Sequence, residues 1–118
     1  MELTAELKAL GVDVDEGLDR VMGDMDLYSM TLGMFVDAVM AKPIQLADFD
    51  AADLAELTGQ VHTLKGVTGN LAITPLFNAY TEILGLLRAG QGAQAKAQFE
   101  KIMPIQEEVL ACIQRHKG

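Results

Sequence analysis

Every long apolar pattern in this chain repeats at intervals of three and four residues, and none alternates at two. That spacing confines the chain to helices, since each residue advances roughly 100° around an α-helix but about 180° along a strand. Breaks fall at Gly11, Gly23, Pro43, Thr74-Pro75 and Gly90-Gln91-Gly92, leaving two short N-terminal segments and four long ones. The pattern predicts an all-α fold: an antiparallel up-down-up-down four-helix bundle, with the short N-terminal helices capping one end.

In order, residues 1–10 read as an amphipathic helix with Leu3, Leu7 and Leu10 on one side and Gly11 as its stop. Asp13 or Asp15 caps a second short helix carrying Leu18, Val21 and Met22, ended by Gly23. Asp24 caps the first long helix, which runs to Lys42 before Pro43 and turns Leu27, Met30, Met34, Phe35 and Ala38 inward. Six of the seven methionines lie in the first forty residues and are assigned to core packing. Residues 43–50 form a loop whose Phe49 folds back over the core. Asp50 caps a helix over 51–72, with Asp53 favourable at its positive end. Thr74 caps the next helix and Pro75 opens it, with Leu76, Tyr80, Ile83 and Leu87 inward. The last helix spans 93–115, with Phe99, Ile102, Gln106, Val109 and Ile113 recurring and a kink at Pro104. Arg115, His116 and Lys117 suit its negative end, so His116 is a helix-end charge rather than a second active histidine.

The length of 118 residues fits one domain, 1–118. A net charge of −8 with no basic stripe argues against nucleic acid as a partner. Without a signal peptide or a run of ~20 apolar residues, the expectation is a soluble cytoplasmic monomer with no membrane insertion, or a cytoplasmic piece of a larger protein. The lone Cys112 leaves no intrachain disulfide or thiolate zinc site and reads as a buried thiol. Asp13, Asp15 and Asp19 invite a calcium-loop reading, but Leu18 holds the glycine position and Asp24 the final glutamate position. Asp48, Asp50 and Asp53 lack both spacing and glycine. No metal is expected.

One helix carries chemistry on its outer face. Leu54, Leu57, Val61, Leu64, Thr68 and Leu71 form its inner stripe, and His62 points roughly 140° from the centre of that stripe. Thr58, Gly59, Lys65, Gly66 and Gly69 gather around the imidazole. Glycine inside a helix costs ~1 kcal/mol relative to alanine. Close helix packing or a helix end near Gly69 is one account of three such glycines; clearance for a second protein's surface to reach His62 is the other. Their position opposite the apolar stripe favours clearance. The chain has 17 acidic residues, yet none between Glu56 and Glu82. A carboxylate beside His62 would favour imidazolium and repel an anion, whereas Lys65, three residues on, attracts one. A neutral imidazole nucleophile beside a fixed positive charge suits receipt of a phosphoryl group. A metal site is disfavoured because Lys65 and Gly66 stand where a second ligand would be, and no acid or cysteine shares the face for hydrolysis. A kinase is excluded by the lack of a glycine-rich phosphate loop.

The run His62-Thr63-Leu64-Lys65-Gly66, continued by Gly69-Asn70-Leu71, resembles the H-x-L-K-G signature of histidine-containing phosphotransfer (HPt) domains. The opening stretch from Gly11 to Asp24, followed by Leu27-Tyr28 and Phe35, is also similar to the family's usual start. One departure stands in the helix after the motif, where Ile83-Leu84 replace a frequent Leu-Glu pair and the nearest acid is Glu82. The resemblance implies a phosphorelay module of two-component signal transduction. His62 would accept a phosphoryl group from a response-regulator receiver aspartate and pass it to another receiver. Lys65 would stabilise the phosphoryl oxygens, and Thr58, Gly59, Gly66 and Gly69 would form the receiver-docking face. The catalytic aspartate and Mg²⁺ would belong to the receiver, so this chain needs no cofactor of its own. A hybrid sensor histidine kinase is a further possible partner. The nearest competitor, a sensor-kinase dimerisation helix, carries an acid directly after its histidine, where this chain has Thr63. A module that regulates by docking alone, without phosphate transfer, is the alternative from a different class.

Overall fold

The computed structural model describes residues 3–116, and among these there are helices and no strands. In chain order they are α1 (Leu3–Ala9), α2 (Val14–Asp19), α3 (Met25–Ala41), a 3₁₀ turn (Leu46–Asp50), α4 (Ala55–Asn70), α5 (Thr74–Arg88) and α6 (Gly92–Arg115). The expected placements of residues 1 and 2 in the first helix and of Lys117 at the end of the last lie outside the described residues. α4 packs along α5 and α5 along α6, while α3 lies against both α4 and α6. The resulting body measures 43 × 24 × 22 Å.

The start signals act where side-chain chemistry allows. Asp13 caps α2 by accepting from the Glu16 amide at 3.1 Å, and Asp24 caps α3 by accepting from the Leu27 amide at 3.1 Å. Gly11 and Gly23 close the first two helices with φ of +91° and +77°, a region that costs glycine nothing. Other expected boundaries shift. Asp50 does not cap α4, because residues 46–50 wind into the 3₁₀ turn and Asp50 pairs with Lys96 of α6 at 2.9 Å. That turn seats Phe49 in the core, tilted against Phe99 with ring centroids 5.3 Å apart, so Phe49 does fold back. α4 begins four residues later than expected, with Asp53 accepting from the Ala55 amide at 2.9 Å. Thr74 is the first residue of α5 rather than its cap; its hydroxyl donates to the Ala72 carbonyl at 3.3 Å. Pro104 lies inside α6, which continues through it.

The inner face of α3 differs from expectation. Phe35 is buried, but Leu27, Met30, Met34 and Ala38 are exposed, and the core-facing set is Tyr28, Leu32, Phe35, Val36 and Val39. Met22, expected inward on the second helix, is exposed beyond the end of α2. α3 carries apolar residues almost all round, so periodicity alone does not select a face. The bulky rings of Tyr28 and Phe35, seven residues apart, do. Met22, Met25, Met30, Met34 and Met40 are consequently on the surface, not in the core.

The other long helices keep their expected stripes. Leu57, Val61, Leu64 and Thr68 of α4, Leu76, Tyr80, Ile83 and Leu87 of α5, and Phe99, Ile102, Val109 and Ile113 of α6 are all buried. Buried polar groups are partnered. Thr68 donates to the Leu64 carbonyl at 2.8 Å, and the Tyr80 hydroxyl bonds the Gln106 side chain across α5 and α6. Tyr28 donates to the Leu71 carbonyl at 3.3 Å, fastening α3 to the end of α4.

Candidate functional site

With Leu57, Val61, Leu64 and Thr68 committed to the core, the 3.6-residue repeat turns His62 and Gly66 outward. Both are exposed, as is Gly59, while Thr58, Lys65 and Gly69 are half-buried. Among the described residues none forms a hydrogen bond or ion pair with the His62 ring or the Lys65 ammonium. The exposed imidazole and the half-buried Lys65 side chain thus lie about a turn apart, neither committed to an internal hydrogen bond or ion pair.

The three glycines separate into two kinds. A Cβ at Gly59 or Gly66 would meet nothing within 4 Å. At Gly69 a Cβ would stand 2.9 Å from Cδ1 of Phe77, so that glycine makes room for an α5 ring. Open space lies over Gly59 and Gly66, whereas close packing accounts for Gly69.

His62, Lys65, Gly66 and Gly69 share a cleft of about 520 Å³ with Asn70 and Ala72. Thr58 and Gly59 lie outside its lining, one turn towards the start of α4, and the Thr58 hydroxyl is engaged by the Leu54 carbonyl at 2.7 Å. The far walls come from elsewhere: Thr74, Phe77 and Asn78 from α5, Glu16 from α2 and Arg20 from the position that follows it. Sequence reasoning assigned none of these five to the site. The acid-free window around His62 holds along the chain but not in space, because the fold brings Glu16 to the cleft rim. Its carboxylate is held by Arg20 Nη2 at 2.9 Å, four residues on. Nothing in the spacing of residues 16–20 signals proximity to His62, more than forty positions away.

The other histidine is engaged structurally. His116 Nε2 lies 2.6 Å from Glu6 Oε2, and Arg115 approaches the same oxygen at 3.5 Å, tying the end of α6 to α1. The hydrogen bond from His116, more than the nearby charges, holds the Glu6 carboxyl below its usual range. Cys112 is buried as expected, and burial, followed by its hydrogen bond to Glu6, pushes its thiol up to about 11. Donor atoms of Glu6, Cys112 and His116 lie within 4.8 Å of one another. A cation there would have to break the Glu6–His116 pair and sit beside the Arg115 guanidinium, so the cluster reads as a staple between helices.

No family model matches this chain, and no curated protein or solved structure is significantly similar to it. No described helix is long and apolar enough to cross a membrane.

Proposed function

We propose that this chain is a phosphohistidine carrier of the HPt type, with α3–α6 forming an antiparallel four-helix bundle that presents His62. The three-residue links between α4 and α5 and between α5 and α6 support that topology, since connections so short reverse direction between neighbours. The observation that carries the function is the uncommitted His62 imidazole on the exposed face of α4, with Lys65 one turn on and open space over Gly66.

A receiver domain bearing aspartyl phosphate docks over this face. A ring nitrogen of His62 attacks phosphorus with its lone pair, the N–P bond forms, and the P–O bond to the receiver aspartate breaks. The aspartate leaves as a carboxylate, and the imidazolium N–H proton is released to solvent. Lys65 offsets the charge on the equatorial oxygens during transfer. Reversal of these steps onto a second receiver empties the carrier. Response-regulator receiver domains are accordingly the partners, with Mg²⁺ held on their side.

The test is phosphoryl transfer from a panel of phosphorylated receivers, with His62→Gln beside the wild type. Acid-labile, base-stable label on the wild type alone is the expected result, with unchanged unfolding behaviour in the variant because His62 is exposed and its ring holds no hydrogen bond or ion pair among the described residues. Label retained by His62→Gln refutes the assignment. Docking without label from any receiver leaves a module that regulates by binding alone.

A further inference from the structure

α2 is seated on the end of α4 by contacts that tolerate no slack. The Asp13 amide donates to the Ala72 carbonyl at 2.9 Å. At Gly17 the backbone approaches so closely that a Cβ would lie 2.8 Å from the Leu71 carbonyl and 2.6 Å from the Tyr28 ring. Arg20 follows Gly17 by three residues, so the helical repeat projects it from the neighbourhood of this contact. There it lines the same cleft as His62 and Lys65. Its partner, Glu16, is equally placed, and both side chains of the pair are about half exposed. An exposed pair at i,i+4 holds weakly and opens readily.

We propose that Arg20 is a second phosphoryl-binding cation of the His62 site, held by Glu16 until a phosphoryl group enters the cleft; this rests on the phosphotransfer reading above. Glu16 contributes one negative charge and Arg20 and Lys65 one positive charge each, so the rim carries a positive surplus on a chain whose net charge is −8. A phosphoryl group offers more charge and more acceptor oxygens than the single carboxylate it displaces. The planar guanidinium takes two of those oxygens at once, which the Lys65 ammonium does not. Transfer forms and breaks no bond at Arg20. The residue changes partner, from Glu16 to the phosphoryl oxygens, and so positions the group for His62.

The experiment compares wild type, Arg20→Gln, Arg20→Lys and Glu16→Gln as full chains, all expected to share one unfolding midpoint. Inorganic phosphate is titrated while the NMR signals of the His62 ring and the Arg20 guanidinium are followed, and phosphoryl transfer from a receiver is timed in parallel. Arg20→Gln is expected to weaken phosphate binding and slow transfer about tenfold, the loss of one charge-assisted bidentate contact. Arg20→Lys recovers part of both. Glu16→Gln, which frees the guanidinium, moves binding the opposite way; a purely structural role for the pair would not produce that reversal. Equal phosphate affinity and equal transfer rates in wild type and Arg20→Gln overturn the Arg20 assignment while leaving the carrier reading intact. Arg20-dependent phosphate binding in a protein that accepts no label overturns the carrier reading and leaves the anion site. A wild type whose signals do not respond to phosphate overturns the assignment as well.

Discussion

Replacing Gly66 with alanine should make this protein more stable. Gly66 lies inside α4, and a Cβ there would meet nothing within 4 Å, so the methyl adds no clash and buries no polar group. What remains is the backbone term, about 0.5–1 kcal/mol in favour of alanine in a helix interior. For a chain of this size that corresponds to a rise of about 2–5 °C in Tm. The same change at Gly69 should behave differently. Its Cβ would lie 2.9 Å from one Phe77 ring carbon and 3.0 Å from another, and pushing that ring aside costs about 1–3 kcal/mol, as overpacking does. The backbone gain offsets only part of it, leaving Gly69→Ala neutral to about 2 kcal/mol less stable. Urea unfolding at constant slope reads both signs. Gly66→Gln completes the series: glutamine is also a better helix former than glycine, so the fold holds, while transfer into His62 slows about tenfold as the longer side chain fills the approach path. A destabilised Gly66→Ala would refute the claim of open space. Wild-type transfer in Gly66→Gln would refute the clearance role.

Two further outcomes follow from the core. Gln106→Leu strands the buried Tyr80 hydroxyl and should cost about 1–3 kcal/mol in chemical denaturation, whereas adding Tyr80→Phe to the same chain should restore most of the loss; an unrestored double variant would show that packing, not the hydrogen bond, was removed. Burial, then the charge of Asp13, pushes the Tyr28 hydroxyl up to about 12 from an ordinary value of 10, so its contribution is complete below pH 10 and is lost as pH rises towards 12, when the unfolded chain releases the proton first. Unfolding free energies measured from pH 9 to 12 should fall with a gentler slope in Tyr28→Phe, and parallel slopes would refute the assignment.

How much was legible in the sequence differs from helix to helix. The stripes of α5 and α6 were readable because apolar and polar residues segregate there, and that of α4 because its few large apolar residues, Leu57, Val61 and Leu64, recur at spacings of three and four. α3 was not, because it is apolar nearly all round; only packing of Tyr28 and Phe35 against the other helices chose its face and put Met30 and Met34 outside. Asp50 was misplaced for a similar reason: its choice between capping α4 and pairing with Lys96 depends on where α6 lies.

At the site, sequence alone determined that His62, Lys65 and Gly66 share the outer face of one helix, because the 3.6-residue repeat fixes angular position as soon as the inner stripe is known. It could not separate Gly66 from Gly69, since both lack a side chain and only the presence of Phe77 distinguishes them. Nor could it bring Glu16 and Arg20 to the rim of the cleft. That juxtaposition exists because the backbone at Gly17 rests on the Leu71 carbonyl and the Asp13 amide on that of Ala72, contacts between segments more than fifty residues apart. Local periodicity carries information about one helix at a time, and the cleft around His62 is walled by three.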